Sequence, residues 1–585
     1  MTIKLDKLFS DTVILDIQQL TYIQNYAKEN VVRQWLQELV ELELGEAAKQ
    51  IFVTLLELRN LNCEDTIRCQ LLGIIEPILA QILISLEKHY LNQSLLETKR
   101  DQQIAELVLE IKSLYALIYS EIFKRTQRQL ETRKFSILEF NLKKKLLNIQ
   151  KTAALNALYH LTQLLHSLHL IYLDIPKRFW LLAYSIYHLA KAKGITDEKI
   201  ESNKLIHLHI QTLEQAFKEL LLLHILNSHK LRQAETRQLM LCIPYWVDLV
   251  NISNHPQHQS KYELNFYQDQ PPKPYMERPS HHAESYFLDT YQLKNYITET
   301  LGNSKKCHSE IEEKNLSSVL KFHILSILDE NNVRKSTRYS QEGEVELLLG
   351  ITSAHFFLSK AKHFKETLLL LNDTSNFDGR QLRLDEHGLS HHEIQISSRT
   401  YAQRFNAEIS KIYTANLVNR SDEGMCLQWT SASANHLRTG RFILFRERSD
   451  DPWTSGIVRW IKSMDHEIVQ FGIELFTQHM CPAAVRIVSK QQEYVYHPAI
   501  ILVNHTNQYT IILQSSQIFS ENQNLLLRLA QEEIRIFLKT GSILTSNCAR
   551  FEFDVLEPPK RTLLQHYIEQ HAYSANTQDL WESLK

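Results

Sequence analysis

The chain has 585 residues, 44% of them apolar, with 65 Lys+Arg against 67 Asp+Glu for a formal net charge of −2. That length allows roughly three to five domains. The balanced charge excludes a globally basic nucleic-acid binder and an acidic tail, while leaving room for a local basic pocket. Charged residues at 23% and a mean hydropathy of −0.28 exclude wholesale disorder.

Thirteen glycines are about 2% of the chain, against a usual ~7%. Nine lie after residue 340; the first 340 residues hold only Gly45, Gly73, Gly194 and Gly302. Glycine supplies the left-handed backbone of tight turns. The glycine-poor part therefore reads as long helices, with no place for a Walker loop or a dinucleotide-binding fingerprint. Seven cysteines (Cys63, Cys69, Cys242, Cys307, Cys426, Cys481, Cys548) are scattered without a C-x-x-C pair. They read as single thiols in a reducing compartment. Met1–Leu20 shows no basic start followed by an apolar core, and Ile74–Leu86 is interrupted by Glu76, Pro77 and Gln81. The expectation is a cytoplasmic protein with no membrane insertion.

Residues 20–250 carry helical periodicity. Val32, Trp35, Leu36, Leu39 and Val40, then Ala47, Ala48, Ile51, Phe52 and Leu55, recur at spacings of three and four. Gly45 reads as the break between two helices. Further helices are expected over Cys69–Leu91, Ser94–Arg125, Leu138–Leu170, Lys177–Lys193 and Asn203–Asn227. No proline interrupts the span between Pro77 and Pro176. Asp174 and Pro176 read as the entry to a helix that ends at Gly194. Helices of this length pack as an α-solenoid or an irregular bundle. Asn251–Ser280 holds five of the thirteen prolines and reads as a linker or extended crossing segment. Helix returns over Asp289–Gly302 and Ile311–Asp329, and Asn331–Gly343 is polar and loop-like.

From about residue 343 the pattern becomes β. Phe442–Phe445, Gly456–Trp460 and Val469–Phe476 are short, β-branched and aromatic, with polar turns between them. That is the rhythm of a small antiparallel barrel. A second set follows at Ala499–Val503, Tyr509–Leu513, Leu525–Leu529, Ile534–Lys539 and Phe551–Leu556, with a last helix at Arg561–Gln570.

No catalytic constellation stands out: G-x-S-x-G and H-E-x-x-H are both absent. The 27 histidines raise metal binding, but neither His166 with His169 nor His391 with His392 has a carboxylate or thiolate at ligand spacing. The basic run from Lys124 to Lys145 is diluted by Glu121, Glu131 and Glu139 and reads as a solvated helix face. No enzyme activity, metal or cofactor is expected. One segment rises above this background: Asn419-x-Ser421-x-x-Gly424, between two strand-like stretches. An Asn amide and a Ser hydroxyl can bond a base edge. The same residues also suit a β-turn in which they bond their own backbone.

With the strands Phe442–Phe445, Gly456-Ile-Val-Arg-Trp460 and Phe471-Gly-Ile-Glu-Leu475 after it, this motif resembles the PilZ domain over about Arg399–Val488. The PilZ family consists of small β-barrels whose members bind cyclic di-GMP. The whole chain resembles a large γ-proteobacterial type with an all-helical N-terminal half. Arg33–Leu36, Trp180–Gly194, Pro271-Pro272 and Gly350–His355 fall in that type's order. The resemblance implies bacterial second-messenger signalling, with the nucleotide as an allosteric ligand on the barrel. It implies ligand contacts from Asn419, Ser421 and Gly424, and from two arginines of an Arg-x-x-x-Arg motif before the barrel. Arginine pairs with guanine or phosphate and stacks on bases. The pattern departs here: Arg399 and Arg404 are one residue too far apart, and Arg380 and Arg383 are one too close. Arg420, inside the motif, is a further basic candidate.

The expected architecture is α+β and multidomain. An all-helical domain covers 1–250, the proline-rich segment and its helices 251–342, a PilZ-like antiparallel β-barrel 343–490, a second small β-domain 491–560, and a C-terminal helix or tail 561–585. The expected partners are cyclic di-GMP and a protein held by the helical half, with no nucleic acid. The alternative is an interaction scaffold whose barrel no longer binds nucleotide.

Overall fold

A computed structural model describes residues 2–91, 99–136, 139–200, 208–227, 230–256, 260–275, 285–302, 306–329, 339–362, 364–368, 409–430, 437–465, 468–476, 479–488, 496–503, 508–514, 518–529, 532–545 and 548–582. The chain divides into two compact units, Met1–Val333 with Ser463–His466, and Arg334–Lys462 with Glu467–Lys585. The first unit carries α1 (Thr2–Ser10), α2 (Glu29–Glu41), α3 (Leu44–Asn60), α4 (Asp65–Glu87), α5 (Lys99–Thr132), α6 (Phe140–Leu170), α7 (Phe179–Ala192), α8 (Leu213–Asn227) and α9 (Gln233–Cys242). A small sheet follows, and then α10 (Tyr291–Gly302), α11 (Glu310–Asn315) and α12 (Ser318–Asp329). One continuous apolar core runs from Leu5 to Leu328.

The apolar stripes do what their spacing demands. Val32, Trp35, Leu36 and Leu39 are the buried face of α2, and Ala47, Ala48, Ile51 and Leu55 that of α3. The break between these helices lies at Leu42, whose backbone is extended (φ −77°, ψ 159°), and Gly45 falls inside the first turn of α3. The longest helices, α5 and α6, run antiparallel: Lys112 Nζ donates to Ser167 Oγ at 2.6 Å, and Tyr119 stacks on His160 at 5.7 Å. Among the described helices, α4 has the length and apolar composition to cross a membrane. Its charged residues are nonetheless held by the protein. Arg68 is fully buried and donates to the Leu58 and Leu61 carbonyls and, at 3.1 Å, to Asp65; Glu76 lies 3.0 Å from His160.

The C-terminus of α7 is as expected. Gly194 is left-handed (φ +66°), and Ile195 N–H closes on Ala190 O at 3.2 Å. Its N-terminus is not. Asp174 and Pro176 precede a left-handed Arg178 (φ +70°), and the cap comes from Asp269, far along the chain. The Asp269 carboxylate accepts from the N–H groups of Arg178, Trp180 (3.1 Å) and Leu181 (3.2 Å). A carboxylate there satisfies orphan donors and complements the helix dipole. The proline-rich segment holds more than a linker. Its strands β1 (Asn251–Ser253), β2 (Ser260–Asn265) and β3 (Lys273–Pro274) form an antiparallel sheet with β4 (Ser285–Asp289), which follows it, in the order β1-β4-β2-β3.

The second unit contains two closed six-stranded barrels. The first comprises β5 (Tyr339–Leu349), β6 (Tyr413–Arg420), β7 (Gly424–Thr430), β8 (Phe442–Arg446), β9 (Thr454–Asp465) and β10 (Ile468–Leu475), in the order β10-β7-β6-β5-β8-β9. Two short helices, α13 (Ile351–Leu358) and α14 (Phe364–Thr367), lie between β5 and β6 in sequence. The second barrel comprises β11 (Met480–Ile487), β12 (His497–Val503), β13 (Tyr509–Leu513), β14 (Asn524–Leu529), β15 (Glu532–Leu544) and β16 (Ala549–Val555). The C-terminal helix α15 (Arg561–Glu582) follows it. Leu348, Ile351, Phe442, Ile457, Ile500 and Ile512 form an apolar cluster that joins the barrels. The fold class is thus an α+β multidomain chain with a helical N-terminal half and two antiparallel barrels.

Candidate functional site

The N-x-S-x-x-G segment is the β6–β7 hairpin of the first barrel. Alternation along β6 buries Tyr413, Ala415 and Leu417 and exposes Thr414 and Asn416. Inside, Trp429 packs edge-on to Tyr413 at 5.2 Å and against Phe471 at 5.9 Å. The β6–β7 register then shifts between Leu417 and Asn419. Bulges of this kind re-aim side chains near sites. Beyond it Asn419 and Arg420 are half-buried, with Asn419 paired to Cys426 on one side and Ser340 on the other.

The turn is tied by Ser421, which is buried. Its N–H donates to Gly424 O at 2.7 Å and its Oγ donates to the same oxygen at 3.2 Å. The hydroxyl proton is therefore used within the turn, and its lone pairs are what it can offer a ligand. A Cβ on Gly424 would lie 2.8 Å from the Ile473 carbonyl oxygen. The motif glycine thus has a structural cause: the turn lies against β10, where Gly424 pairs with Glu474 and Leu475 N–H bonds Glu423 O at 3.0 Å. Gly472 has a similar cause, since its Cβ would lie 2.0 Å from Trp460 Nε1.

Charge around the hairpin comes as cross-strand pairs. Arg420 meets the Glu447 carboxylate just beyond β8, Arg446 meets Glu346 at 2.7 Å, and Arg459 meets Glu474 at 2.5 Å. The Arg446 guanidinium also lies 4.4 Å from the Trp453 ring centroid. Arg420 and Glu447 are 39% and 35% exposed, so their pair is screened and weak. Exchange of Glu447 for a phosphate or a guanine edge costs Arg420 little. The hairpin therefore brings together Asn419, Arg420, Ser421 and Gly424. Arg399 and Arg404, like Arg380, Arg383, His391 and His392, lie outside the described residues. Sequence reasoning missed Glu447, because it faces Arg420 only after β6, β5 and β8 align. Its sole local signal is the alternation Arg446-Glu447-Arg448. Among the described residues no group of three or more His, Cys, Asp or Glu gathers as for a metal.

Comparison with known proteins accords with this geometry. One family model, described as cyclic-di-GMP receptor FimW, N-terminal domain, matches residues 30–257. A second, described as cyclic-di-GMP receptor FimW, middle PilZ domain, matches 263–393 and 372–482 and so takes in the hairpin. The cyclic-di-GMP receptor FimW of Pseudomonas aeruginosa is 22% identical over 577 residues, covering 92% of each chain. No solved structure matches. Nearly all of the second barrel lies beyond both family models.

Proposed function

We propose that this chain, which belongs to the FimW family of PilZ-domain proteins, is a receptor for cyclic di-GMP and acts through binding rather than catalysis. The observation that carries the reading is the Asn419–Gly424 hairpin. It is bulged, stapled by Ser421, and carries an amide and a guanidinium on consecutive residues at the end of a barrel strand. Cyclic di-GMP bears two guanines and two phosphates, which are the groups that an arginine and an asparagine recognise. In this reading Asn419 bonds a guanine edge, Arg420 leaves Glu447 for the ligand, and Gly424 lets the turn close against β10. Arg399 and Arg404 supply the clamp from the preceding segment. The nucleotide is an allosteric ligand, so it must bind two arrangements of the chain with different affinity. A protein partner on the helical unit then reads the change. The dianionic ligand does not cross a bilayer unaided, and the free cysteines suit a reducing compartment. We therefore place the receptor in the cytoplasm, without membrane insertion.

A second reading is favoured by the off-spaced Arg399 and Arg404 and by the pairing of Arg420 with Glu447. In it the barrel is an interaction module without nucleotide. Isothermal titration with cyclic di-GMP, with GTP and cyclic di-AMP as controls, separates the two. The receptor predicts guanine-specific binding at about micromolar Kd, weakened at least about tenfold by Asn419→Ala and abolished by Arg404→Ala with the fold intact. The absence of heat at high nucleotide concentration would leave the interaction module standing.

A further inference from the structure

The second barrel carries a cavity that this reading does not use. Its floor is β11, where Pro482, Ala483 and Ala484 are too small to fill the space between the strand and the elements above it. One wall is α13 with the turn after it; another is α15, through Tyr567, Gln570 and His571. The volume is about 300 Å³, the lower end of the range that holds small ligands.

The turn is unusual in its backbone. Lys360 and Ala361 are consecutive left-handed residues (φ +57° and +58°), and neither is glycine. L side chains are disfavoured in that region. The conformation is held by Ser359 N–H to His355 O at 2.9 Å, Lys360 N–H to Phe357 O at 3.1 Å and Ala361 N–H to Phe356 O at 3.0 Å. The effect is to set Lys360 and Lys362 at the mouth of the cavity, both exposed. Arg528 reaches the same cavity from β14, in register with Ala484. Its Nε donates to Leu368 O at 2.9 Å, which fixes the guanidinium. The carboxylate near it, Glu533 at 3.8 Å, is also held by Arg486, at 3.3 and 3.2 Å, and by the Tyr496 hydroxyl. The cavity lining itself holds three cations, Lys360, Lys362 and Arg528, and one carboxylate, Glu366. A concave site with excess positive charge concentrates anions.

We propose that this cavity binds a small molecule with a phosphate or carboxylate head, as a second ligand distinct from the one on the first barrel. Lys360 and Lys362 take the head as point charges, and Arg528, fixed by Leu368, offers planar donors. Leu358, Leu368 and the Pro482–Ala484 floor receive an apolar or flat body. The position suits a regulatory ligand, because it touches both the helices that follow β5 and the C-terminal helix.

The test is isothermal titration of the full chain with inorganic phosphate and, separately, citrate, at matched ionic strength. One saturable site is expected, at about millimolar Kd for the bare head group. The stronger of the two anions identifies the head. Lys360→Ala/Lys362→Ala should weaken binding at least about tenfold, and Lys360→Glu should do the same without touching the core. Asn419→Ala, on the other barrel, should leave it unchanged. The proposal falls if neither anion binds saturably, or if the lysine variants bind as the parent does. It also falls if Asn419→Ala removes the heat, because the anion then sits on the first barrel. Failure of cyclic di-GMP binding alone leaves this site untouched, so the two readings fail separately.

Discussion

Glu219, on α8, should make the helical unit less stable as pH rises, and Glu219→Gln should remove that dependence. The carboxyl is 4% exposed, and burial pushes it from 4.5 up to about 8. The folded chain therefore holds a proton between pH 4.5 and 8 that the unfolded chain has released, and stability falls with pH across that window. At pH 7 the interval is 2.5 pH units above 4.5, or about 3 kcal/mol at ~1.4 kcal/mol per unit. Glutamine is close in shape and carries no charge. Glu219→Gln should leave stability near the parent's at pH 4.5 and exceed it by about 3 kcal/mol at pH 7. The assay is urea unfolding followed by helical ellipticity, on both proteins, from pH 4.5 to 8. His166, on α6, is half-buried and is pushed down to about 3 by desolvation, but it titrates alike in both chains and cancels from the difference. Parallel curves, with the same gap at both ends of the range, would refute the reasoning.

Asp269→Ala removes the cap on three N–H groups at the start of α7 and should cost about 1–2 kcal/mol in the same urea experiment. Gly472→Ala puts a Cβ where the Trp460 indole lies, so it should cost about 1–3 kcal/mol and shift tryptophan fluorescence; an unchanged spectrum would mean the indole packs elsewhere. His355, pushed from 6.5 down to about 4 by burial, stays neutral in the folded chain while the unfolded chain takes up a proton. Its contribution is whole above pH 6.5 and lost as pH falls toward 4. About 2 kcal/mol is gone at pH 5, and His355→Gln should flatten that acid limb of barrel unfolding. Glu447→Gln frees Arg420 from its exposed pair and should tighten cyclic di-GMP by up to about fivefold in titration calorimetry; weaker binding would place Arg420 outside the ligand site.

What was legible in the sequence is what short-range chemistry dictates. Apolar spacings of three and four place α2 through α8, because each helix must bury one stripe. Alternation and turn residues place β8, β9 and β10, and the five strands from β12 to β16. The features that escaped are made by residues far apart in the chain. The cap on α7 comes from Asp269, and nothing in the sequence near Pro176 announces it. The sheet at Asn251–Asp289 is hidden by its prolines, which read as a linker until β3 is seen at the sheet edge, where proline removes no needed donor. The same holds for β11. Next to β10 in sequence, it reads as the end of the first barrel. Yet Ala484 pairs with both Pro498 and Arg528, which assigns it to the second. The site divides along the same line. Asn419, Ser421 and Gly424 are visible as a motif because a tight turn needs them close in sequence. Glu447, which decides how readily Arg420 is released, is visible only after a barrel has closed. A motif therefore locates the hairpin, whereas the carboxylate facing Arg420 shows only in the folded barrel.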